Sequence, residues 1–372
     1  MFIYKFIAVT LLLCAYTGIH LYAAFGRVIG SRIAFAILFT LFAESYVIVQ
    51  FFRRSLEIDL PAFFYWFSSA VIGFMSILVM VIVIFDIALI IMLICKRASI
   101  IANSRLKIGV LAILATFVIF IYGHINSVTP RVTSYSIEIN KQIPDNIRIV
   151  AVSDLHIASY TSLNALHKMV ERINALSPDI VVMVGDIIDG ELQPFIDRDI
   201  KGIFSKIESR YGVYSVLGNH EYHGGQVDSV KTAFDDAKIP LLRDEAIYIE
   251  PLNLTLVGRD DYRALRYRGS RAPLSKLIGG ATDSAIVVLD HQPQNVILEE
   301  ASASGADLQL SGHTHNGQLF PFNFVVDRIY KNAWGLMTEG AYNLIVSCGF
   351  GTWGPSMRTG SYSEIVVVDI NG

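Results

Sequence analysis

The stretch Ile147–His156, IRIVAVSDLH, is an apolar run that ends in a carboxylate and an imidazole. Its isoleucines and valines favour a β-strand, and the lack of polar alternation indicates a strand that is covered on both faces. Residues 161–177 then place apolar side chains at helical spacing, and either Thr161 or Ser162 can cap the start of that helix. A buried strand followed by a helix predicts an α/β domain.

The same alternation continues along the chain. Further strands are predicted at 179–186, 212–220, 253–258, 285–290, 307–311, 343–348 and 364–369, with a helix over 194–209 between the first two. In sheets covered by helices, reactive groups gather beyond the carboxyl ends of the strands. Residues 129–372 are therefore predicted to form one globular α/β domain.

Residues 1–128 have a different character. With 53% hydrophobic and 17% charged residues, the chain is too apolar for an ordinary soluble protein and too charged for a pure membrane bundle. Apolar blocks cover 4–25, 33–52, 62–95 and 108–126. Each block reaches the ~20 residues that a helix needs to cross the hydrocarbon core. We therefore predict a multi-pass region of about four spans in an inner or plasma membrane, with the lipid bilayer as a partner.

The basic residues of the short linkers predict the orientation. Lys and Arg concentrate in the linkers 26–32 and 96–107, which should face the cytoplasm. A single span separates the second linker from the globular domain, so that domain is predicted to be extracytoplasmic. Glu44 and Asp86 lie within apolar blocks, either on a proton or substrate path or as protonated or helix-paired carboxyls.

The composition disfavours one class of partner, a disulfide framework and a cysteine metal site. The net charge is −3 and shows no broad basic excess, so no nucleic-acid partner is expected. The three cysteines are far apart in the sequence, which predicts neither a disulfide framework nor a cysteine metal site.

Five polar clusters stand at the ends of predicted strands. They are Asp154-Leu-His156, Gly185-Asp186-Ile-Ile-Asp189, Gly218-Asn219-His220-Glu221, Asp290-His291 and Gly312-His313-Thr-His315. Each alone could be a capped turn or a loop histidine, but five at successive strand ends indicate one site. Carboxylate, imidazole and amide ligands suit hard or borderline divalent metals. Seven such ligands suit two ions about 3.5–4 Å apart, with one carboxylate as the bridge.

The order D-x-H, GDxxD, GNH[DE], a lone H and GHxH resembles the calcineurin-like binuclear metallophosphoesterases, over about 147–320. The resemblance implies a β-sandwich flanked by helices and two divalent ions, whether manganese, iron or zinc. It implies that Asp154, His156 and His315 bind the first metal, that Asn219, His291 and His313 bind the second, and that Asp186 bridges them. It further implies that His220 assists the transition state or protonates the leaving oxygen, and that Asp189 holds His220 in the right tautomer.

Residues near the end of the chain indicate a subgroup within this family. Gly317, Gln318 and the stretch 349–365, GFGTWGPSMRTGSYSEI, are similar to the bacterial membrane- or wall-associated phosphodiesterases. That subgroup includes enzymes acting on phospholipids or lipid-linked pyrophosphates. Arg358 in this stretch is predicted to bind substrate phosphate through bidentate hydrogen bonds.

The sequence leaves the roles of three further features near these motifs open. The arginine-rich stretch 258–271 either engages an anionic headgroup or is a solvated face. Phe350 and Trp353 either line an apolar approach to the site or simply pack. Asp290 could accept a hydrogen bond from His291, and its role stays open.

The leading prediction is a membrane-anchored two-metal hydrolase. It would cleave phosphoesters, foremost phosphodiesters, or phosphoanhydrides by a metal-bridged hydroxide, and lipid-linked phosphates are among the candidate substrates. An alternative with the same chemistry is a pyrophosphatase of the lipid A type, acting on UDP-diacylglucosamine at the cytoplasmic leaflet. An alternative of another class is a non-catalytic membrane scaffold or regulatory protein.

Overall fold

The computed structural model describes residues 2–56, 58, 60–95, 104–280 and 283–372. The chain divides into two compact units: Met1–Ile125 with Gly354–Met357, and Asn126–Trp353 with Arg358–Gly372. The sequence predicts a division between residues 128 and 129. The structure places the boundary slightly earlier and assigns a four-residue segment near the end of the chain to the helical unit.

The first unit is helical. Its helices are α1 (Phe2–Ile29), α2 (Arg32–Ala43), α3 (Ser45–Ser55), α4 (Ala62–Ile94) and α5 (Arg105–Val128). Among the described residues, α1, α4 and α5 are long and apolar enough to cross a membrane. Helices α2 and α3 make a fourth candidate that is bent by 56°, where the sequence predicts one uninterrupted block. Lys96 and Arg97, on which the predicted orientation partly depends, lie outside the described residues.

Both acidic side chains of the apolar blocks have partners on α1. Glu44, at the bend between α2 and α3, accepts a hydrogen bond from Thr10 across 2.9 Å. Asp86 on α4 accepts one from the hydroxyl of Tyr16 at 2.6 Å, and Nε2 of His20 lies 3.3 Å away. This arrangement agrees with the interpretation that the two carboxyls are paired between helices.

The second unit is a mixed α/β domain. Its strands are β1 (Arg131–Glu138), β2 (Ile147–Val152), β3 (Ile180–Val184), β4 (Val213–Val216), β5 (Glu245–Ile249), β6 (Leu254–Gly258), β7 (Ala285–Leu289), β8 (Leu308–Ser311), β9 (Gly335–Glu339), β10 (Tyr342–Val346) and β11 (Glu364–Asn371). In the part of the chain that the structure describes, they form two sheets, ordered β1-β11-β2-β3-β4 and β5-β6-β7-β8-β10-β9. The central pairs β2–β3, β3–β4, β6–β7, β7–β8 and β8–β10 are parallel. Their carboxyl ends therefore share one edge of each sheet.

Nine helices of this unit, counted among the described residues, connect the strands. They are α6 (Leu163–Ala175), α7 (Gln193–Asp197), α8 (Ile200–Phe204), α9 (Asn219–His223), α10 (Val227–Asp236), α11 (Ala264–Tyr267), α12 (Leu274–Ile278), α13 (Asn295–Ala303) and α14 (Phe322–Ile329). The hydroxyl of Ser162 caps α6 by accepting from the amide of Ala165 at 3.3 Å, which settles the choice between the two predicted caps.

The two sheets pack face to face, and helices cover the outer faces. Ile149 and Val182 of the first sheet share one buried cluster with Leu256 and Val287 of the second. The alternate residues of the same strands point outward into two further clusters, which include buried side chains of α6 and of α13. Alternation of side chains along buried strands produces this layering, because both faces must be covered. The predicted β-sandwich flanked by helices is confirmed.

Candidate metal centre

The predicted ligands lie where the parallel strands end. Asp154 and His156 follow β2, Asp186 follows β3, Asn219 follows β4, His291 follows β7, and His313 and His315 follow β8. These five strands come from both sheets, so neither sheet alone contains the site. The fold brings together all seven residues that the sequence assigns to metal binding.

The backbone at most of these positions is unusual. Asp154, His156, Asp186, His313 and His315 have positive φ angles, from 47° to 72°. A residue with a Cβ adopts this left-handed region only at a cost, and such residues concentrate at functional sites. At these five candidate ligands the chain therefore leaves the extended conformation directly after the strand.

Two glycines allow the ligand loops to approach each other closely. A Cβ on Gly185, which has φ +75°, would lie 2.7 Å from the ring of His291. A Cβ on Gly312 would lie 2.4 Å from a carboxylate oxygen of Asp154. Both distances are shorter than van der Waals contact, so these positions require glycine.

The first ligand set is buried and compact. The Nε2 atoms of His156 and His315 lie 3.0 Å apart, and Nε2 of His315 lies 3.4 Å from Oδ1 of Asp154. The three side chains offer ligand atoms that all lie within 4.8 Å of one another. Two imidazoles and one carboxylate at this spacing suit a borderline divalent cation.

The second set is oriented for the same purpose. Nδ1 of His291 donates a hydrogen bond to the carbonyl of Val184 at 2.7 Å, which leaves Nε2 directed towards Asp186 at 3.2 Å. Such an outer hydrogen bond fixes the tautomer that a metal-binding histidine needs. Oδ1 of Asn219 is buried and has no hydrogen-bond partner among the described residues. A buried carbonyl oxygen without a partner is costly, and a bound cation would satisfy it.

Asp186 lies between the two sets. Its Oδ2 is 3.2 Å from Nε2 of His291 and 3.9 Å from Nε2 of His156. Asp186 also groups with His291 and His313 on one side and with His156 and His220 on the other. The donor atoms present therefore match those that divalent metal ions prefer, and one carboxylate is within reach of both sets.

The electrostatics of the centre favour the charged forms of Asp186 and His291 but the neutral form of His313. Burial raises the pKa of Asp186, but His291 and His220 outweigh burial and hold it well below its usual value. Burial lowers the pKa of His291, yet the carboxylates of Asp186 and Asp154 raise it well above the ordinary value. Burial, together with the nearby His291, lowers the pKa of His313 to about 3, so that ligand is a neutral imidazole at pH 7.

His220 and Asp189 form a hydrogen-bonded pair beside the ligands. Nδ1 of His220 lies 2.8 Å from Oδ1 of Asp189, and Nε2 lies 4.0 Å from Oδ2 of Asp186. Burial lowers the pKa of His220, but Asp186 and Asp189 raise it to about 9. Without bound cations the imidazole therefore carries a proton at neutral pH, and its Nε2 points towards the centre. This is the arrangement that a general acid requires.

Glu221 has a role that the sequence did not predict. Its buried carboxylate accepts hydrogen bonds from the backbone amides of Gly218, Ile188 and Asp186, at 2.8, 2.9 and 3.2 Å. It thereby ties the loop after β3 to the loop after β4. The acidic residue that ends the GNHE motif was the available signal, because a carboxylate next to metal ligands must either bind the metal or satisfy backbone donors.

Arg358 is fully buried, and its donors contact protein groups. It has 0% exposure, and its guanidinium donates to the hydroxyl of Ser361 at 2.8 Å and to the carbonyl of Gly351 at 3.1 Å. A third contact joins it to Nδ1 of His315 at 3.1 Å. The predicted contact with substrate phosphate needs an accessible fork of donors, whereas here the donors are directed at the protein. The geometry is that of a residue that positions His315.

The arginine-rich stretch 258–271 was predicted either to engage an anionic headgroup or to form a solvated face, and its arginines differ in their surroundings. Three arginines form ion pairs within the domain: Arg259 with Glu300, Arg268 with Asp260 and Arg271 with Asp290. Asp290 is thus paired with an arginine, while the hydrogen bond of His291 goes to a backbone carbonyl. Arg259 and Arg271 are buried in their ion pairs, whereas Arg268 stays about half exposed.

Arg263 of the same stretch lies close to the centre. Its backbone amide donates to Oδ1 of Asp261 at 2.8 Å, and the same oxygen accepts from Gln292 at 2.9 Å. Gln292 is the neighbour of His291 in the chain. The Arg263 guanidinium is one of the charges that lower the pKa of His313. The Arg263 side chain is half-buried.

Comparisons with known proteins agree with this geometry. Residues 147–317 match the family model described as calcineurin-like phosphoesterase. An uncharacterized metallophosphoesterase of Campylobacter jejuni is 35% identical over 70% of this chain and 69% of its own. One from Aquifex aeolicus is 33% identical over 68% of this chain and 95% of its own.

A third relative is named as a transmembrane protein. A "transmembrane protein with metallophosphoesterase domain" from Danio rerio is 31% identical over 71% of this chain. The present chain spans 63% of that protein's length. Family model, relatives and ligand geometry point to the same chemistry, the hydrolysis of phosphate esters with the help of divalent metal ions. The chain belongs to the calcineurin-like phosphoesterase family.

Proposed function

We propose that this phosphoesterase uses two divalent cations at one centre, held by the seven residues that converge there. The observation that carries this proposal is the position of Asp186, whose Oδ2 lies within 4 Å of imidazoles from both ligand sets. When bound, such ions activate water and neutralise charge on the phosphoryl oxygens. Asp154, His156 and His315 would hold one ion, and Asn219, His291 and His313 the other.

The protein side chains contribute proton transfer and positioning. In the proposed step, water supplies the new oxygen to phosphorus, and the bond from phosphorus to the departing oxygen breaks with its electron pair. His220 Nε2 gives its proton to the departing oxygen, and the proton lost from water restores the imidazolium through solvent. Asp189 holds the ring in the tautomer that keeps Nε2 directed at the centre. The products are an alcohol and a phosphate or phosphomonoester.

We propose phosphodiesters as the principal substrates, with phosphoanhydrides as a second class that the same chemistry accepts. The apolar helices favour substrates that are themselves held in a membrane, because a single span would anchor the domain and three or four candidates are present among the described residues. We propose that Arg263, a half-buried cation whose charge acts on His313, donates to a non-bridging phosphate oxygen.

The experiment that tests this function is a metal-dependent hydrolysis screen of the full chain in detergent. It compares bis-p-nitrophenyl phosphate with phospholipids and with sugar-nucleotide lipids, each with manganese, iron or zinc and with chelator. Asp186→Asn is the control. We expect the Asp186→Asn variant to lose more than about 100-fold of the activity. Replacing a residue that only hydrogen-bonds to a metal ligand already costs about 10- to 100-fold, and Asp186 is proposed to bind the metals directly. Equal activity with and without chelator would overturn the proposal.

We further propose that the catalytic domain faces away from the cytoplasm. The support is the concentration of Lys and Arg in the linkers 26–32 and 96–107. Fusing alkaline phosphatase or a fluorescent protein after residue 372 distinguishes the two sides. A cytoplasmic reporter would reject this orientation and favour a pyrophosphatase acting on lipid-linked nucleotides at the inner leaflet.

A further inference from the structure

An exposed tryptophan stands next to the proposed acid. The ring centroids of Trp353 and His220 are 6.0 Å apart, and the rings meet edge to face at 77°. Trp353 is 53% exposed, whereas Phe350, three residues earlier, is 7% exposed and belongs to the domain core. The two aromatic residues of this stretch therefore differ: Phe350 packs in the core, whereas Trp353 exposes its ring to solvent beside the centre.

The backbone of Trp353 is fixed by one buried side chain. Oε1 of Gln318 accepts from the amide of Trp353 at 3.0 Å, and Nε2 of Gln318 donates to its carbonyl at 3.0 Å. Gln318 lies three residues after the ligand His315 and has a left-handed backbone, with φ +51°. The side-chain amide of Gln318 thus holds Trp353 close to the loop that carries His315. A residue kept in such a costly backbone conformation is common at functional sites.

The position next to His220 has a chemical consequence. A general acid must reach the departing oxygen, so the organic group on that oxygen lies within a few ångströms of the acid. An exposed indole there offers a flat apolar surface, which binds aromatic rings by stacking and hydrocarbon chains by removal of apolar area from water. A polar headgroup gains little from such a surface.

We propose that the departing group of the substrate rests on the ring of Trp353, and that this enzyme selects phosphoesters whose departing group is aromatic or carries a hydrocarbon chain. The inference rests on the proposed function, because it uses His220 as the acid. It goes further by naming the substrate class and the residue that recognises it. Gln318 is a positioning residue in this scheme, since it acts through Trp353.

The test uses three substrates with the full chain in detergent: bis-p-nitrophenyl phosphate, a short-chain phosphate diester with a hydrocarbon departing group, and glycerophosphocholine as the polar case. Alcohol release is followed by mass spectrometry. In Trp353→Ala we expect kcat/KM to fall about 10- to 100-fold for the aromatic or the hydrocarbon substrate, and by less than about threefold for the polar one. A loss for the aromatic substrate alone indicates stacking, and a loss for the hydrocarbon substrate indicates apolar contact; Trp353→Phe, which keeps an aromatic apolar ring, should restore part of either loss.

Tyr248→Ala is the matched control, because Tyr248 is 58% exposed and lies on β5, paired with Thr255 at the start of β6. That end of β6 is opposite the carboxyl end, where the centre lies. Binding without turnover provides a second readout: a p-nitrophenyl phosphonate should quench the fluorescence of the wild type more strongly than that of Trp353→Phe.

The outcomes separate the two proposals. An equal loss for all three substrates, or equal quenching in both proteins, rejects Trp353 as a contact for the departing group. Hydrolysis of none of the three by the wild type, in any metal, counts against the proposed function instead. Unchanged metal content and thermal midpoint in Trp353→Ala are expected in either case, and their loss would show that the ring has a structural role.

Discussion

Asp189 accepts a hydrogen bond from Nδ1 of His220 across 2.8 Å, and this contact fixes which nitrogen faces the centre. Replacing Asp189 with Asn removes the charge that helps to raise the pKa of His220. We expect kcat to fall about 10- to 100-fold with little change in KM, as is common for partners that orient a reacting histidine. The decline of kcat on the basic side should move to lower pH. An unmoved pH profile would mean that Asp189 does not act through the imidazole.

The charge of His220 also predicts how the stability of the metal-free protein depends on pH. Its pKa of about 9 lies above the ordinary 6.5 of an unfolded chain. The stabilisation is therefore fully present below about pH 6.5 and is lost as pH rises through about 9. We expect the thermal midpoint of the chelated protein to fall between pH 7 and 10, and to fall less in His220→Gln. The same decline in both proteins would contradict this assignment.

Glu221 should matter more for stability than its lack of catalytic contact suggests. Glu221→Ala leaves three buried backbone amides without their acceptor. We expect the free energy of unfolding to fall by on the order of 3 kcal/mol. Each unsatisfied buried donor costs about 1–3 kcal/mol, and water that enters the space left by the side chain offsets part of this cost. Denaturant titration in detergent measures the loss, with the exposed Glu208→Ala as control. Similar midpoints for the two variants would show that the amides find other acceptors.

Arg263 and Arg266 provide a matched pair for substrate binding. Burial and His291 are the main causes that lower the pKa of His313, and the charge of Arg263 adds to them, whereas Arg266 is exposed on α11. Arg263→Ala should raise KM for a phosphodiester about tenfold, because hydrogen bonds to charged groups contribute about 1.5–3 kcal/mol. Arg266→Ala should leave KM within about twofold of the wild type, as expected for a surface substitution. Equal effects would indicate a general electrostatic attraction.

Arg358 should affect metal occupancy rather than substrate affinity. It is buried against His315, so Arg358→Lys keeps the charge but loses the planar fork that contacts three groups at once. We expect the variant to hold less metal by elemental analysis after dialysis, while KM of the remaining activity stays near the wild-type value. Full metal content with a raised KM would restore the substrate role that the sequence suggested.

The sequence alone determined the elements whose signal is local. Continuous apolar runs identified β2, β3, β4, β6, β7, β8, β10 and β11, because strands buried on both faces need no polar positions. The strands β1, β5 and β9 were missed, since they lie at the sheet edges and expose most of their residues. The predicted helix over 194–209 is two short helices, α7 and α8, because Asp199 takes a left-handed conformation with φ 49° between them.

The sequence also predicted that the candidate ligands converge, because residues that follow parallel strands meet at one edge of a sheet. Only the tertiary structure decided the direction of side chains that are not candidate ligands. It directed Arg358 inward to His315 and paired Asp290 with Arg271. It left Trp353 exposed beside His220. The direction of a side chain depends on long-range packing and on competing partners, which neighbouring residues in the chain do not specify.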